Sequence, residues 1–122
     1  MVKILWVDDE VELLKPHVLF LKQKGYEVDT CNNGYDAIDL ASSQPFDLII
    51  LDEMMPGMTG LDLARRLRAE GCRSEIVFIT SHFEFAGEGY EVDALHYLIK
   101  PIQEKKLFQV LDRAVLNLQQ AP

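Results

Sequence analysis

Residues Asp47 to Leu51 read DLIIL, an almost unbroken apolar run that leads directly to a second acid, Asp52. Strands of a parallel sheet covered on both faces have this continuous pattern, whereas strands covered on one face alternate apolar and polar residues. Three further runs share this pattern: VKILWV (Val2 to Val7), IVFIT (Ile76 to Thr80) and YLIK (Tyr97 to Lys100). A fifth run, YEVDTC (Tyr26 to Cys31), is more polar. The sequence therefore predicts five strands in a largely buried parallel sheet.

Between the first two predicted strands, apolar residues recur at helical spacing: Val11, Leu14, Val18 and Leu21. Gly25 follows, and glycine commonly ends a helix because it adopts a left-handed backbone readily. Pro16 lies inside this predicted helix, where it removes a backbone donor, so we expect it to kink the helix.

The later helices carry their own start signals. Asn33 is placed to cap the second helix, and Thr59 with Asp62 resembles a capping box for the third, which should end near Gly71. The last helix presents one apolar face, formed by Leu107, Val110, Leu111, Ala114 and Leu118. The segment Phe83 to Val92 is the poorest helix candidate, because each of its two glycines costs about 1 kcal/mol relative to alanine.

This alternation of strand and helix, repeated five times, predicts an α/β fold. It is a doubly wound (βα)5, flavodoxin-like three-layer sandwich, with helices on both faces of a parallel five-stranded sheet. Short right-handed crossovers favour the strand order 2-1-3-4-5. The chain has 122 residues, the size of one ordinary domain, so we expect residues 1–122 to form one domain.

The composition limits the classes of function. A chain with 48% hydrophobic and 26% charged residues is typical of soluble domains, and no apolar run approaches the roughly 20 residues of a membrane helix. The N-terminus turns acidic where a signal peptide would stay apolar, so we expect a cytoplasmic protein. The net charge of −8 disfavours direct nucleic acid binding by this domain. Cys31 and Cys72 lack metal-ligand spacing and are expected to be reduced thiols.

Chemically active side chains follow the strongest predicted strands. Asp8 and Asp9 follow the first strand, and Asp52 follows the third. Thr80 closes the fourth strand and Lys100 closes the fifth. Because the carboxyl ends of parallel strands lie together in open α/β sheets, next to the point where ligands bind, we expect these side chains to meet.

Three carboxylates at close range raise each other's pKa unless a cation joins them. Ligation by carboxylates, waters and a substrate phosphate suits Mg²⁺ better than a soft transition metal. A carboxylate beside such an ion can attack phosphorus and hold the product as an aspartyl phosphate. Lys100 would then supply a positive charge for one phosphoryl oxygen, and the Thr80 hydroxyl would donate a hydrogen bond to another.

Each of these residues also has an ordinary structural interpretation when it is taken alone. A carboxylate after a strand is commonly a helix cap, so Asp9 or Glu10 could cap the first helix. Thr80 alone would be a strand-end residue with β propensity, and Lys100 a solvated lysine. Chance rarely places an acidic pair, an acid, a hydroxyl and a lysine at the same ends of the strands, so the joint pattern favours a phosphoryl-transfer site.

The chain resembles the receiver domains of two-component response regulators along nearly its whole length. The resemblance rests on VDDE at Asp8 and Asp9, LDEMMPGMTG from Leu51 to Gly60, Thr80 with Ser81, and YLIKP from Tyr97 to Pro101. It implies that Asp52 is the phosphoacceptor. It also implies that Asp9 and Asp52 bind Mg²⁺ directly with the Met54 backbone carbonyl, while Asp8 acts mainly through a bound water.

The resemblance also concerns the conformational response. It implies a cis peptide between Lys100 and Pro101 that aims the lysine inward. Thr80 and Tyr97 resemble the family's switch pair, in which the hydroxyl moves toward the phosphoryl group and the ring turns inward behind it. Tyr97 could instead be an ordinary core aromatic on the last strand. Phosphorylation would act as a population shift between two arrangements.

The implied partners are a sensor histidine kinase as phosphodonor and an output domain or separate effector protein. The predicted fourth helix, the fifth strand and the last helix would carry the signal and could form a homodimer. The chain would be a signalling domain with self-catalysed transfer and slow autodephosphorylation. The alternative is a phosphorylation-independent protein-interaction module on the same fold.

Two further classes fit the sequence less well. A haloacid-dehalogenase-type phosphatase needs a D-x-D pattern after the first strand, and VDDEVE lacks it. A flavodoxin-like electron carrier needs a phosphate loop rich in glycine and hydroxyls, whereas this loop is acidic and would repel the flavin phosphate.

Overall fold

All five predicted strands are present in the computed structural model, which describes residues 2–81 and 92–120. Their observed bounds differ from the predicted ones by no more than one residue at either end: β1 Lys3–Val7, β2 Glu27–Cys31, β3 Leu48–Asp52, β4 Glu75–Thr80 and β5 His96–Ile99. Continuous apolar runs therefore located β1, β3, β4 and β5, and a more polar run located β2.

The strands form one sheet in the order β2-β1-β3-β4-β5, and every neighbouring pair is parallel. This confirms the predicted fold class and strand order. At the carboxyl end, Val7 of β1 lies opposite Leu51 of β3, and Asp52 lies opposite Ile79 of β4. The residues that follow these positions are therefore brought to one edge of the sheet.

The helices of the described residues follow the predicted alternation. A 3₁₀ turn spans Val11–Leu14, and the α-helices are α1 Lys15–Gln23, α2 Gly34–Ser43, α3 Gly60–Ala69 and α4 Glu104–Gln120. The Asn33 side chain caps α2 and the Thr59 side chain caps α3, as predicted. The predicted helix from Phe83 to Val92 lies outside the described residues except for Val92, so α4 here is the last helix of the chain.

The prediction that Pro16 kinks the first helix is wrong. The segment divides into the 3₁₀ turn and α1, and Pro16 lies in the first turn of α1. The first N–H groups of a helix have no partner within the helix, so a proline there sacrifices no hydrogen bond. Gly25 follows α1 with a φ of 96°, which confirms the predicted helix stop.

The central strands β1, β3 and β4 are buried on both faces of the sheet. Against α2 and α3 lie Leu5, Val7, Ile49, Leu51, Ile76 and Phe78, and against α1 and α4 lie Ile4, Trp6, Leu48, Ile50, Val77 and Ile79. Successive side chains of a strand point to opposite faces, so each strand contributes to both layers of the core. The three layers hold the strand ends in fixed positions.

Two further expectations concern the chain as a whole. Cys31 and Cys72 are free thiols, and burial raises the pKa of Cys31 to about 11. Within residues 2–81 and 92–120, no helix combines the length and the apolar character that a membrane span requires.

Candidate functional site

Three carboxylates meet at the carboxyl end of the sheet, as the sequence predicted. Asp8 and Asp9 follow β1, and Asp52 is the last residue of β3. One ligand oxygen from each of the three lies within 4.8 Å of the others. Asp8 and Asp52 are only 1% and 3% exposed, whereas Asp9 faces solvent. The cluster is therefore a buried acidic pair with a third carboxylate at its mouth.

Lys100 brings a positive charge to this cluster. It follows β5 directly, and its Nζ atom lies 3.3 Å from Asp52 Oδ1 and 3.5 Å from Asp8 Oδ2. The Lys100 backbone N–H donates to the Thr80 carbonyl at 2.9 Å, which anchors the lysine at the sheet edge. The peptide between Lys100 and Pro101 is cis, as predicted. The lysine is therefore an inward-facing partner of the acids rather than a solvated surface residue.

The charges of the site perturb one another. Burial raises the pKa of Asp52 to about 7, and the Asp8 carboxylate contributes to the rise while Lys100 opposes it. Partial burial works to lower the pKa of Lys100, but the charges of Asp52 and Asp8 outweigh it and the pKa is raised. One nearby cation therefore does not compensate two buried acids, and a divalent ion would favour the ionised form of Asp52.

The capping interpretation of the acidic loop is only partly supported. Asp8 Oδ1 accepts a hydrogen bond from the Glu10 backbone N–H at 2.9 Å. Glu10 occupies the N-cap position of the first helical turn, and its side chain makes no capping hydrogen bond. The contact with Glu10 orients one oxygen of Asp8 and leaves its other oxygen toward Lys100.

The predicted switch residues lie on neighbouring strands. Thr80 ends β4, is 1% exposed, and its hydroxyl donates a hydrogen bond to Glu53 Oε2. Tyr97 lies in β5 opposite Phe78, and the two rings stack with centroids 5.6 Å apart at an angle of 17°. The Tyr97 hydroxyl oxygen is buried. The ring of Tyr97 therefore points inward, and its role as a switch stays a prediction.

The remaining predicted residues lie at the rim. Met54 is in the loop between β3 and α3, with its side chain 63% exposed, and the predicted role of its backbone carbonyl stays a prediction. Ser81 is exposed. His82, the next residue in the sequence, lies outside the described residues.

Two residues near Asp52 had no predicted role. Glu53 accepts the hydrogen bond of Thr80. Gly60 begins α3, and a Cβ atom there would lie 2.2 Å from the Asp52 carbonyl oxygen. The strand register could have indicated Glu53, because it is the position after Asp52 and Thr80 is the position after Ile79. Only tertiary packing reveals the close approach of Gly60.

The donor set fits a hard divalent cation. Carboxylate oxygens are the ligands that Mg²⁺ prefers, and one or two carboxylates with waters and phosphate oxygens usually complete its octahedron. A soft metal would prefer thiolate or imidazole ligands, and the metal-ligand cluster found among the described residues contains neither. The site can therefore combine a cation, a buried nucleophilic carboxylate and a lysine.

A family model described as the response regulator receiver domain matches residues 4–112. The chain belongs to this family. It is 37% identical over 123 residues to the response regulator ArlR of Staphylococcus aureus, covering 98% of this chain and 54% of ArlR. It is 36% identical over 114 residues to the positive alginate biosynthesis regulatory protein of Pseudomonas aeruginosa, covering 91% of this chain and 46% of that protein. This receiver chain thus spans about half the length of the curated relatives it matches.

Solved receiver structures have the same fold. The response regulator TrrA of Thermotoga maritima, crystallised in complex with Mg²⁺–BeF, is 30% identical with a TM-score of 0.84, covering 93% of this receiver chain and 99% of TrrA. TrrA has also been solved in complex with the histidine kinase ThkA, and that chain is 32% identical with a TM-score of 0.82. This match covers 93% of the present receiver and 98% of the matched chain in the complex.

Proposed function

We propose that this receiver domain accepts a phosphoryl group on Asp52 from the phosphohistidine of a sensor histidine kinase, in an Mg²⁺-dependent reaction. The observation that carries the proposal is the setting of Asp52: it is buried, within 4.8 Å of two other carboxylates and 3.3 Å from Lys100 Nζ. The crystal structures of TrrA with Mg²⁺–BeF and with a histidine kinase support it by similarity.

The chemical step is a displacement at phosphorus. An oxygen of the ionised Asp52 carboxylate forms a bond to phosphorus, and the phosphorus–nitrogen bond of the donor histidine breaks. The histidine nitrogen keeps the electron pair, and Asp52 becomes an acyl phosphate. Lys100, whose Nζ atom lies 3.3 Å from Asp52 Oδ1, would neutralise a phosphoryl oxygen, because catalysis of this kind depends mainly on positioning and charge. We propose Asp52, Lys100 and Thr80 as the residues that perform the transfer.

Asp9, Asp52 and the Met54 backbone carbonyl would hold Mg²⁺, with Asp8 acting mainly through a bound water. The positive charge of the ion would offset the electrostatic repulsion between an anionic phosphodonor and the three acids. Asp8 keeps one oxygen on the Glu10 N–H, so its other oxygen is the one available near Lys100.

The signal would arise from a hydrogen bond that forms only after transfer. The Thr80 hydroxyl would donate to a phosphoryl oxygen, and Tyr97 on the neighbouring strand would follow by packing against the displaced residue. A ligand shifts such an equilibrium only by its difference in affinity for the two states. Hydrolysis by water would later release inorganic phosphate and regenerate the Asp52 carboxylate.

We propose three kinds of partner for this domain. They are the sensor histidine kinase, an output domain or separate effector, and a second copy bound through the predicted fourth helix, β5 and α4. The curated relatives are about twice as long as this chain, which supports the proposal of an output domain or separate effector. The cytoplasmic location and the extent of the domain, residues 1–122, remain predictions from the sequence.

The test is phosphorylation by acetyl phosphate followed by mass spectrometry of the intact protein. We expect the wild type to gain the mass of one phosphoryl group when Mg²⁺ is present and not when a chelator replaces it. Asp52→Asn should gain nothing. Asp39→Asn, which changes an exposed aspartate of α2, is the matched control and should be labelled like the wild type. Persistent labelling of Asp52→Asn would move the acceptor elsewhere.

The alternative is an interaction module that works without phosphorylation. It would be preferred if acetyl phosphate and Mg²⁺ left the wild-type mass unchanged while Asp52→Asn behaved identically in every binding assay. The convergence of Lys100 and three carboxylates favours the phosphorylated function, because an interaction surface alone has no need for buried acids.

A further inference from the structure

The residue directly after the proposed acceptor contacts the proposed switch hydroxyl. Glu53 is half-buried, and its Oε2 atom accepts the hydrogen bond of Thr80 Oγ1. Thr80 is 1% exposed, so this contact is largely shielded from water. A hydrogen bond to an ionised acceptor in such a place is roughly twice as strong as one between neutral groups.

The backbone fixes Glu53 beside Thr80. Asp52 lies opposite Ile79 in the parallel pairing of β3 with β4, so the next residues of the two segments are neighbours on the same face. The Glu53 N–H donates to the Ile79 carbonyl at 2.9 Å, and the Gly60 N–H donates to the Glu53 carbonyl at 3.0 Å. The position of Glu53 is therefore set by the sheet and by the start of α3, whatever rotamer its side chain adopts.

This arrangement conflicts with the proposed phosphorylated state. A threonine hydroxyl has one hydrogen and can donate one hydrogen bond at a time. A phosphoryl group on Asp52 would need that donor, and Glu53 already holds it. The two acceptors therefore compete for Thr80.

We propose that Glu53 is a positioning residue that restrains the Thr80 hydroxyl in the unmodified protein and opposes the phosphorylated arrangement. The inference rests on the proposed function, because it concerns the same site. Glu53 acts through Thr80 and takes no part in forming or breaking the bond to phosphorus. The hydrogen bond from Thr80 to Glu53 sets how tightly a phosphoryl group must bind before the phosphorylated arrangement is favoured.

The test measures the affinity of the purified protein for beryllofluoride in the presence of Mg²⁺, with beryllofluoride standing for the phosphoryl group. Glu53→Ala should lower the Kd about tenfold, because the lost restraint is a charge-assisted hydrogen bond. Glu53→Gln keeps the shape and a neutral acceptor, so it should lower the Kd about threefold. It also keeps the test open if the alanine variant fails to fold.

Glu70→Gln is the charge-matched control. Glu70 is exposed at the end of α3 and follows no strand that carries the site, so removing its charge should leave the Kd within about twofold of the wild type. An equal effect of Glu53→Gln and Glu70→Gln would overturn the inference, because net charge alone would then explain both.

A double-mutant cycle asks whether Glu53 acts through Thr80. Thr80→Val removes the hydroxyl and keeps the branched shape, and in this background Glu53→Ala should change the Kd by less than about twofold. A full tenfold effect in the Thr80→Val background would overturn the inference, because direct repulsion between Glu53 and the anion would then be the cause.

The failure of this inference can be told from the failure of the proposed function. If the wild type is labelled on Asp52 and binds beryllofluoride, but Glu53→Ala has an unchanged Kd, only the restraint is wrong. If the wild type neither binds beryllofluoride nor accepts a phosphoryl group, both the proposed function and the proposed restraint by Glu53 are wrong.

Discussion

Replacing Asp52 by asparagine should make the metal-free protein more stable at alkaline pH. The pKa of this carboxyl is raised from 3.8 to about 7, first by burial and then by Asp8, so the folded protein favours the protonated form. Each pKa unit corresponds to about 1.4 kcal/mol, and a shift of roughly three units sets an upper limit of about 4 kcal/mol. Asparagine resembles the protonated acid and avoids this penalty.

The sign follows from proton linkage. Between pH 4 and pH 7 the folded protein holds a proton on Asp52 that the unfolded chain has released, so ionisation of this group destabilises the fold as the pH rises. Below pH 4 the group is protonated in both states and the penalty vanishes. We therefore expect Asp52→Asn to match the wild type near pH 4 and to exceed it by about 2–4 kcal/mol at pH 8.

The assay is urea unfolding at pH 4, 5.5 and 8 with a chelator present, analysed by linear extrapolation. Adding Mg²⁺ at 100 times its Kd should stabilise the wild type by about 2.7 kcal/mol and leave Asp52→Asn nearly unchanged. Asp39→Asn, on the exposed side of α2, should stay within about 0.5 kcal/mol of the wild type at every pH. An Asp52→Asn variant that is no more stable than the wild type at pH 8 would refute the reasoning.

Three further substitutions, two of them with a matched control, test the packing of the fold by urea unfolding. Gly60→Ala should cost about 1–3 kcal/mol and slow labelling of the acceptor, because the new Cβ atom meets backbone at 2.2 Å. Gly34→Ala, also at the start of a helix, meets a flexible thioether and should cost less than about 1 kcal/mol; equal costs would contradict the close approach. Arg68→Ala should cost about 1–3 kcal/mol, because the guanidinium donates to four backbone carbonyls, and lysine should not restore the loss. Leu111→Ala should cost about 2–5 kcal/mol, whereas Leu116→Ala on the exposed side of the same helix should cost under about 1 kcal/mol.

The central strands were predictable because a strand that is buried on both faces has a continuous run of apolar residues. The run from Asp47 to Leu51 has almost no polar residue, and β3 is buried along its whole length. The placement of Asp8, Asp52 and Lys100 followed from the same pattern, because residues after parallel strands meet at one edge. The convergence of these three residues could therefore be predicted from strand ends alone.

The errors and omissions come from effects that a pattern of apolar residues does not carry. Pro16 was compatible with the helical spacing around it, and only the backbone shows that a 3₁₀ turn ends before it. Glu53 follows β3, and the sequence predicted no role for it because its contact with Thr80 depends on the register of β3 with β4. Gly60 needed the distance between two segments. Each of these depends on strand register, local backbone geometry or tertiary distance, which the spacing of apolar residues does not encode.

The acids, the threonine and the lysine all lie at the ends of strands or one or two residues beyond them, and none belongs to a helix. The exposed faces of the helices can therefore diverge without disturbing the reactive groups, since the strand ends carry those groups and the buried faces of the helices hold the strands in place. Mutations that change which protein docks on the outer layers would spare the chemistry. Proteins of many pathways can in this way share the same acids, threonine and lysine, while the surfaces that bind their partners evolve separately.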